Sequence, residues 1–292
     1  MLMRLFVVIA LFISVAYASV DIELALKQLH NGETTLVRLP KKEGVVYEKV
    51  TFEKRSFPLF SIAGDKEHLY GLIVFSYYDK AGKKTLKLLY KENGKEKSQL
   101  FHIYLKNGEY KKEQIHVASS KVNPKSKAVK KRTAREYSEA MKLYHSVTPK
   151  LYIKEPFILP LQSTITSEFG KARVYNGSLK GYHSGTDFRA PVGTPIVASN
   201  DGVVAYVGDR FYSGGTIIID HGEGIYSCYF HMSKYDVAKG ERVQRGEVIG
   251  LSGKSGRVTG PHLHFAMRVD GVQVNPLQFI ELTNKELLKE KN

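Results

Sequence analysis

Short runs of alternating apolar and polar residues, broken by turn-forming pairs, recur through most of this chain and leave little room for helix. In the first half the runs fall at residues 45–52, 69–78, 85–90, 99–105 and 110–118. Asp79 to Gly82, Asn93-Gly94 and Asn107-Gly108 separate them and read as hairpin turns. In the second half the runs fall at 195–198, 202–207, 216–220, 225–231, 247–251 and 262–269, among closely spaced glycines. Strands of this length and spacing predict a mainly β chain: a β-rich, sandwich-like N-terminal domain, a helical connector, and a C-terminal antiparallel β domain. Helix is expected in two places. Ile22, Leu26 and Leu29 share one face of 21–30, which Asn31-Gly32 would end. Thr133 and Glu136 would form a capping box for a spacer helix reaching Ser146, with Tyr137, Met141 and Tyr144 on one stripe.

The first residues have the three parts of a secretory leader: Arg4, the apolar run Leu5 to Val15, and Ala16-Tyr17-Ala18 as a small-x-small cleavage site. Cleavage after Ala18 and export are expected, with no membrane span remaining. The domain expectation is 1–18 leader, 19–122 β-rich domain, 123–160 basic connector and linker helix, 161–282 second β domain, and 283–292 charged tail. Cys228 is the single cysteine, so an exported form has no internal disulfide and depends on its cores and any metal.

The formal charge is +15, and its distribution is uneven: residues 19–150 carry +12 and residues 151–292 only +2. Export argues against nucleic acid as partner, and the basic first half suits an acidic polymer of the cell envelope.

Five of the ten histidines lie between His183 and His264. In Gly260-Pro261-His262-Leu263-His264-Phe265, strand alternation puts both imidazoles on one face, roughly 6–7 Å apart, and Leu263 and Phe265 in the core. His183-Ser184-Gly185-Thr186-Asp187 is too glycine-rich for helix and reads as a loop presenting an imidazole and a carboxylate. One further imidazole would complete a His, Asp, His set with a position left for water, which is the catalytic pattern for zinc. In residues 226–231, alternation places Tyr226, Cys228 and Phe230 on the core face and Ser227, Tyr229 and His231 on the site face. His221, at a strand-ending turn, reads as structural, and the isolated His30, His68, His102 and His116 show no ligand cluster.

Several of these stretches, in this order, resemble the zinc metallopeptidases of the lysostaphin/LytM type, peptidase family M23. They are Ser167-Glu168-Phe169-Gly170, His183-x-Gly185-x-Asp187, Pro191-x-Gly193-Thr194-Pro195, Asp220-His221-Gly222, Tyr229-Phe230-His231, Gly256-x-x-Thr259-Gly260-Pro261-His262-Leu263-His264-Phe265 and Asn275-Pro276. Ala266 departs from the pattern, since many members carry glutamate there. The resemblance covers little more than a third of the chain. It implies one zinc ion held by His183, Asp187 and His264, with His231 and His262 as the catalytic pair. It also implies a peptidoglycan hydrolase that cuts stem-peptide or cross-link amides: a D-alanyl–diaminopimelate D,D-endopeptidase with D,D-carboxypeptidase action. With the leader, the chain is expected in the periplasm, and a monomer is expected although the sequence does not fix the oligomeric state. The N-terminal domain more loosely resembles those of Gram-negative members that reshape the cell wall, and would dock on the wall or partly cover the zinc cleft. Two alternatives remain open: a non-enzymatic LytM-like activator or wall-binding module, and a secreted lytic protease.

Overall fold

The computed structural model describes residues 20–288. The expected leader at 1–18 and the last four residues of the expected tail lie outside the described residues.

In the first half, strands β1 (Glu23–Leu24), β2 (Gln28–His30), β3 (Thr34–Pro40), β4 (Val45–Phe52), β5 (Arg55–Pro58), β6 (His68–Val74), β7 (Gly82–Glu92) and β8 (Lys95–Lys106) form two sheets. One has the order β1-β3-β6 and the other β2-β8-β7-β4-β5. They share a core that includes Leu36, Leu39, Val50, Phe57, Ile73, Leu86 and Ile103. Phe52 of β4 meets Phe75, just past β6, edge to face at 5.6 Å.

Asn93-Gly94 makes the β7–β8 hairpin, and both residues have left-handed backbone. The other two expected hairpins are not hairpins. Asp79 to Gly82 crosses between sheets, and Asn107-Gly108 leads toward β9 (Lys112–Ile115), which pairs elsewhere. The expected helix at 21–30 is β1 and β2 instead. Three apolar residues in one short segment could not outweigh sheet pairing: β2 runs parallel to β8, and Leu29 is buried.

The connector holds α1 (Ser119–Val122) and α2 (Lys127–Tyr144). Thus α2 begins six residues before the expected Thr133 cap. Thr133 instead donates to the Lys130 carbonyl, and Glu136 pairs with Arg132 and accepts from the Phe211 amide at 2.9 Å. The buried face of α2 is Ala140 and Tyr144, while Tyr137 of the expected stripe faces solvent.

The second half contains β10 (Ile165–Ser167), β11 (Ala172–Tyr175), β12 (Ser178–Tyr182), β13 (Thr186–Arg189), β14 (Pro195–Val197), β15 (Gly202–Arg210), β16 (Gly214–Asp220), β17 (Ile225–Tyr235), β18 (Arg242–Val243), β19 (Val248–Ser252), β20 (His262–Val269), β21 (Val272–Val274) and α3 (Pro276–Glu286). The main sheet runs β10-β13-β20-β17-β16-β15-β18, and a small sheet runs β12-β11-β9. In that small sheet β9 of the first half is a parallel partner of β11.

The main sheet is covered on both faces. Ile217, Tyr229, Phe265 and Met267 face the large core, while Ile218, Tyr226, Cys228 and Ala266 pack under Ala140 and Tyr144 of α2. The helix lies over Ala266, so the departure from the resembled pattern falls where a carboxylate would be buried without solvent. Helix α3 was not expected from the sequence. Asn275 caps it, Pro276 opens it, and Phe279, Ile280, Leu282 and Thr283 are buried. The expected charged tail therefore starts inside this helix.

The halves meet closely. Gln278 and Thr34 exchange hydrogen bonds of 2.9 and 2.8 Å, and Tyr77 stacks on Tyr182 at 3.9 Å. Gly32 sits against Phe169, where a Cβ would come within 2.5 Å of the ring. Among the described residues no helix is long and apolar enough to cross a membrane.

Candidate metal centre

Antiparallel pairing of β13 and β20 sets Asp187 directly opposite His264. His183 enters from the turn between β12 and β13. Its Nδ1 donates to the Glu168 carbonyl at 2.7 Å, which leaves Nε2 with a lone pair. That Nε2 lies 2.9 Å from Asp187 Oδ1 and 2.9 Å from His264 Nδ1, and the last two atoms are 2.7 Å apart. Between His183 Nε2 and Asp187 Oδ1, two acceptors face each other at hydrogen-bond distance, an arrangement favourable only with a cation or proton between them. The donor set therefore fits a metal ion, and these three residues form the His/Asp cluster that could hold one among the described residues. Gly185 is required by this convergence, because a Cβ there would lie 2.3 Å from the Phe265 carbonyl and 2.8 Å from His264 Nε2.

His262 shares the face of His264, as expected. Its Nδ1 donates to the Gly260 carbonyl at 2.9 Å, and its Nε2 stands 3.8 Å from Asp187 Oδ1. His231 reaches the site by another route than simple alternation. Phe230 pairs with His264 and Cys228 with Ala266, so the residues expected on the core face of β17 lie on the site side of the sheet. Tyr229 and Ser227, expected on the site side, face the large core and the buried His221. Continued alternation would send His231 into that core. Instead β17 carries an extra residue: Ile217 pairs with Tyr229, but Gly215 pairs with Met232. His231 takes φ 64° at this bulge, and its ring swings to 4.7 Å from the His262 ring centre. Its Nδ1 donates to the Ser255 carbonyl at 2.8 Å, leaving Nε2 as acceptor.

Burial dominates the electrostatics. It would raise the Asp187 carboxyl, but the adjoining His183 and His264 imidazoles outweigh it and hold the group well below the usual carboxylate range. Burial pushes His264 down to about 4 against the pull of Asp187. Burial, with His262 and His264 close by, pushes His231 down to about 3. Both imidazoles are thus neutral near pH 7, with lone pairs available. His221 is buried between the Asp201 carbonyl and Ser227, each at 2.7 Å, away from the cluster.

Sequence reasoning missed the outer support of Asp187. Arg173 donates to its Oδ2 at 3.2 Å, and Glu113 of β9 pairs with Arg173 at 2.8 Å. Nothing local in the sequence marks Glu113, which comes from the other half of the chain.

Residues 181–276 match the model for peptidase family M23. Peptidoglycan DD-endopeptidase ShyA of Vibrio cholerae is 49% identical over 96 residues, 33% of this chain and 22% of that protein. DD-carboxypeptidase/endopeptidase Mpg of Neisseria meningitidis is 44% identical over 105 residues, 36% of this chain and 24% of that protein. The chain thus spans under a quarter of the length of either relative. A crystal structure of a Pseudomonas aeruginosa protein assigned to peptidase M23 aligns with a TM-score of 0.64 at 27% identity. That alignment covers 85% of this chain and 93% of the other, so the likeness extends well outside the matched segment.

Proposed function

Because residues 181–276 form a peptidase family M23 domain, we propose that the chain is a zinc-dependent peptidoglycan hydrolase that cuts amide bonds in stem peptides or their cross-links. The observation that carries this reading is the convergence of His183 Nε2, Asp187 Oδ1 and His264 Nδ1 to within 2.9 Å, with two further imidazoles beside them. One zinc ion held by those three atoms would supply Lewis acidity toward a peptide carbonyl and make water acidic near neutral pH. His231 and His262 are assigned as the catalytic pair. The Ser255 and Gly260 carbonyls fix their tautomers, so each presents Nε2 as a lone pair. One accepts the proton of the attacking water. That proton then passes to the leaving amine, while the other imidazole, protonated from solvent, donates to the oxyanion of the tetrahedral intermediate.

The bond assigned is D-alanyl–diaminopimelate, with D,D-carboxypeptidase action alongside; the names of ShyA and Mpg support both activities. Such a substrate places the mature chain in the periplasm, in accord with the leader read from residues 1–18, and the chain is taken to act as a monomer. Residues 19–122 are assigned a wall-docking or cleft-covering role, supported by their net charge of +6. The test is digestion of defined cross-linked muropeptides by the purified chain, with product masses measured. Dimers should convert to monomers, stop converting with chelator, and resume when zinc is restored. Dimers that survive long incubation with zinc overturn the assignment.

A further inference from the structure

The parallel pairing of β9 with β11 sets Glu113 beside Arg173. One nitrogen of the Arg173 fork pairs with Glu113 Oε2 at 2.8 Å. The other reaches Asp187 Oδ2 at 3.2 Å and Ser167 Oγ at 3.3 Å. Ser167 Oγ in turn donates to the Glu113 carboxylate, 3.1 Å from Oε1 and 3.2 Å from Oε2, and lies 3.3 Å from His183 Nδ1. Asp187 therefore divides its oxygens, with Oδ1 toward His183 and His264 and Oδ2 toward the guanidinium. The Arg173 and Asp187 side chains are only 13% and 10% exposed, so solvent does little to screen these charges. Neither Glu113 nor Arg173 lies within the segment matched to the family.

We propose that Glu113 is a positioning residue for the metal ligand Asp187, acting through Arg173, so that full metal affinity requires the first half of the chain to be docked. The inference rests on the zinc reading of the site. A guanidinium this close to a divalent cation opposes binding and draws charge from the ligand carboxylate. The Glu113 carboxylate offsets that charge and holds the plane of the fork, so Arg173 orients Asp187 without competing for it. Loss of an outer partner of this kind typically weakens metal binding 10–100-fold.

The experiment is zinc affinity by chelator competition on the full chain, with melting of the metal-free protein read in parallel. Glu113→Gln should weaken zinc by roughly tenfold or more, the lower end of that range. Adding Glu113→Gln to Arg173→Gln should weaken zinc no further than Arg173→Gln alone. A parental dissociation constant in Glu113→Gln overturns the proposal, including the case in which only melting falls, since that marks a purely structural ion pair. If Glu113→Gln does not fold, Glu113→Asp withdraws the charge by one methylene and should give a smaller but measurable loss; parental affinity there overturns the proposal equally. A parent chain that takes up no zinc overturns the metal reading and this inference together. Stoichiometric zinc in the parent with no shift in the variants overturns the inference alone.

Discussion

His231 holds a left-handed backbone, which a residue with a Cβ adopts only under local strain. The strain has an identifiable product, because the bulge turns an imidazole away from the large core and toward His262 and His264. Four of the five polar side chains, His183, Asp187, His262 and His264, were legible in the sequence, since spacing within residues 183–187 and 262–264 is local. The bulge was not legible, since Phe230-His231-Met232 contains no glycine or other residue that marks one. That is why the faces of β17 were expected the wrong way round. The proposed division of labour predicts different failures at the two histidines of β20. His264→Ala should lose stoichiometric zinc, whereas His262→Ala should retain it and lose turnover by about 10²–10⁴-fold. Metal analysis beside muropeptide kinetics checks this, and equal zinc loss in both variants would refute it. Gly185→Ala tests close approach. Its new methyl would collide with the Phe265 carbonyl and His264, so zinc affinity in a chelator titration should fall by about tenfold or more.

At the scale of elements, β20 was read with its ends correct because alternation, a preceding Gly-Pro pair and a following turn all agree. The segment at 21–30 failed because a few apolar residues at helical spacing are weak evidence against a neighbouring strand edge. Helix α3 was overlooked although Asn275-Pro276 is a cap followed by a first-turn proline, and Leu277, Phe279 and Ile280 supply an apolar face. Asn275 does two jobs: its side chain caps α3 and its amide donates to the Gly32 carbonyl at 2.7 Å. Asn275→Ala removes only the first, so a loss of about 1 kcal/mol is expected. Thermal or urea unfolding reads it, and an unchanged midpoint would deny the cap its role.

For the whole molecule, the two β-rich halves were legible, but their joint was not, because contacts such as Thr34 with Gln278 join residues more than 240 positions apart in sequence. Asp270 lines a cleft where the halves meet, with Glu48, Lys49 and His145 around it. Burial, and then the neighbouring Glu223, push its carboxyl up to about 7. Between about pH 4 and 7 the folded chain keeps a proton that the unfolded chain releases, so this group's contribution to stability falls as pH rises through that window and is level above it. Asp270→Asn should therefore be more stable than the parent at pH 8, by up to a few kcal/mol, with the gap closing below pH 4. Parallel melts across pH decide it, and a gap independent of pH would refute the shift. Asparagine also tolerates the φ of 48° at this position. The opposition of Asp187 and His264 across β13 and β20 has a further consequence during folding. A slip of one residue would put Asp187 opposite Leu263 or Phe265 and turn a candidate ligand away from its partners. Metal would then act as a proofreader of strand register, giving its binding energy to correctly aligned chains and none to slipped ones.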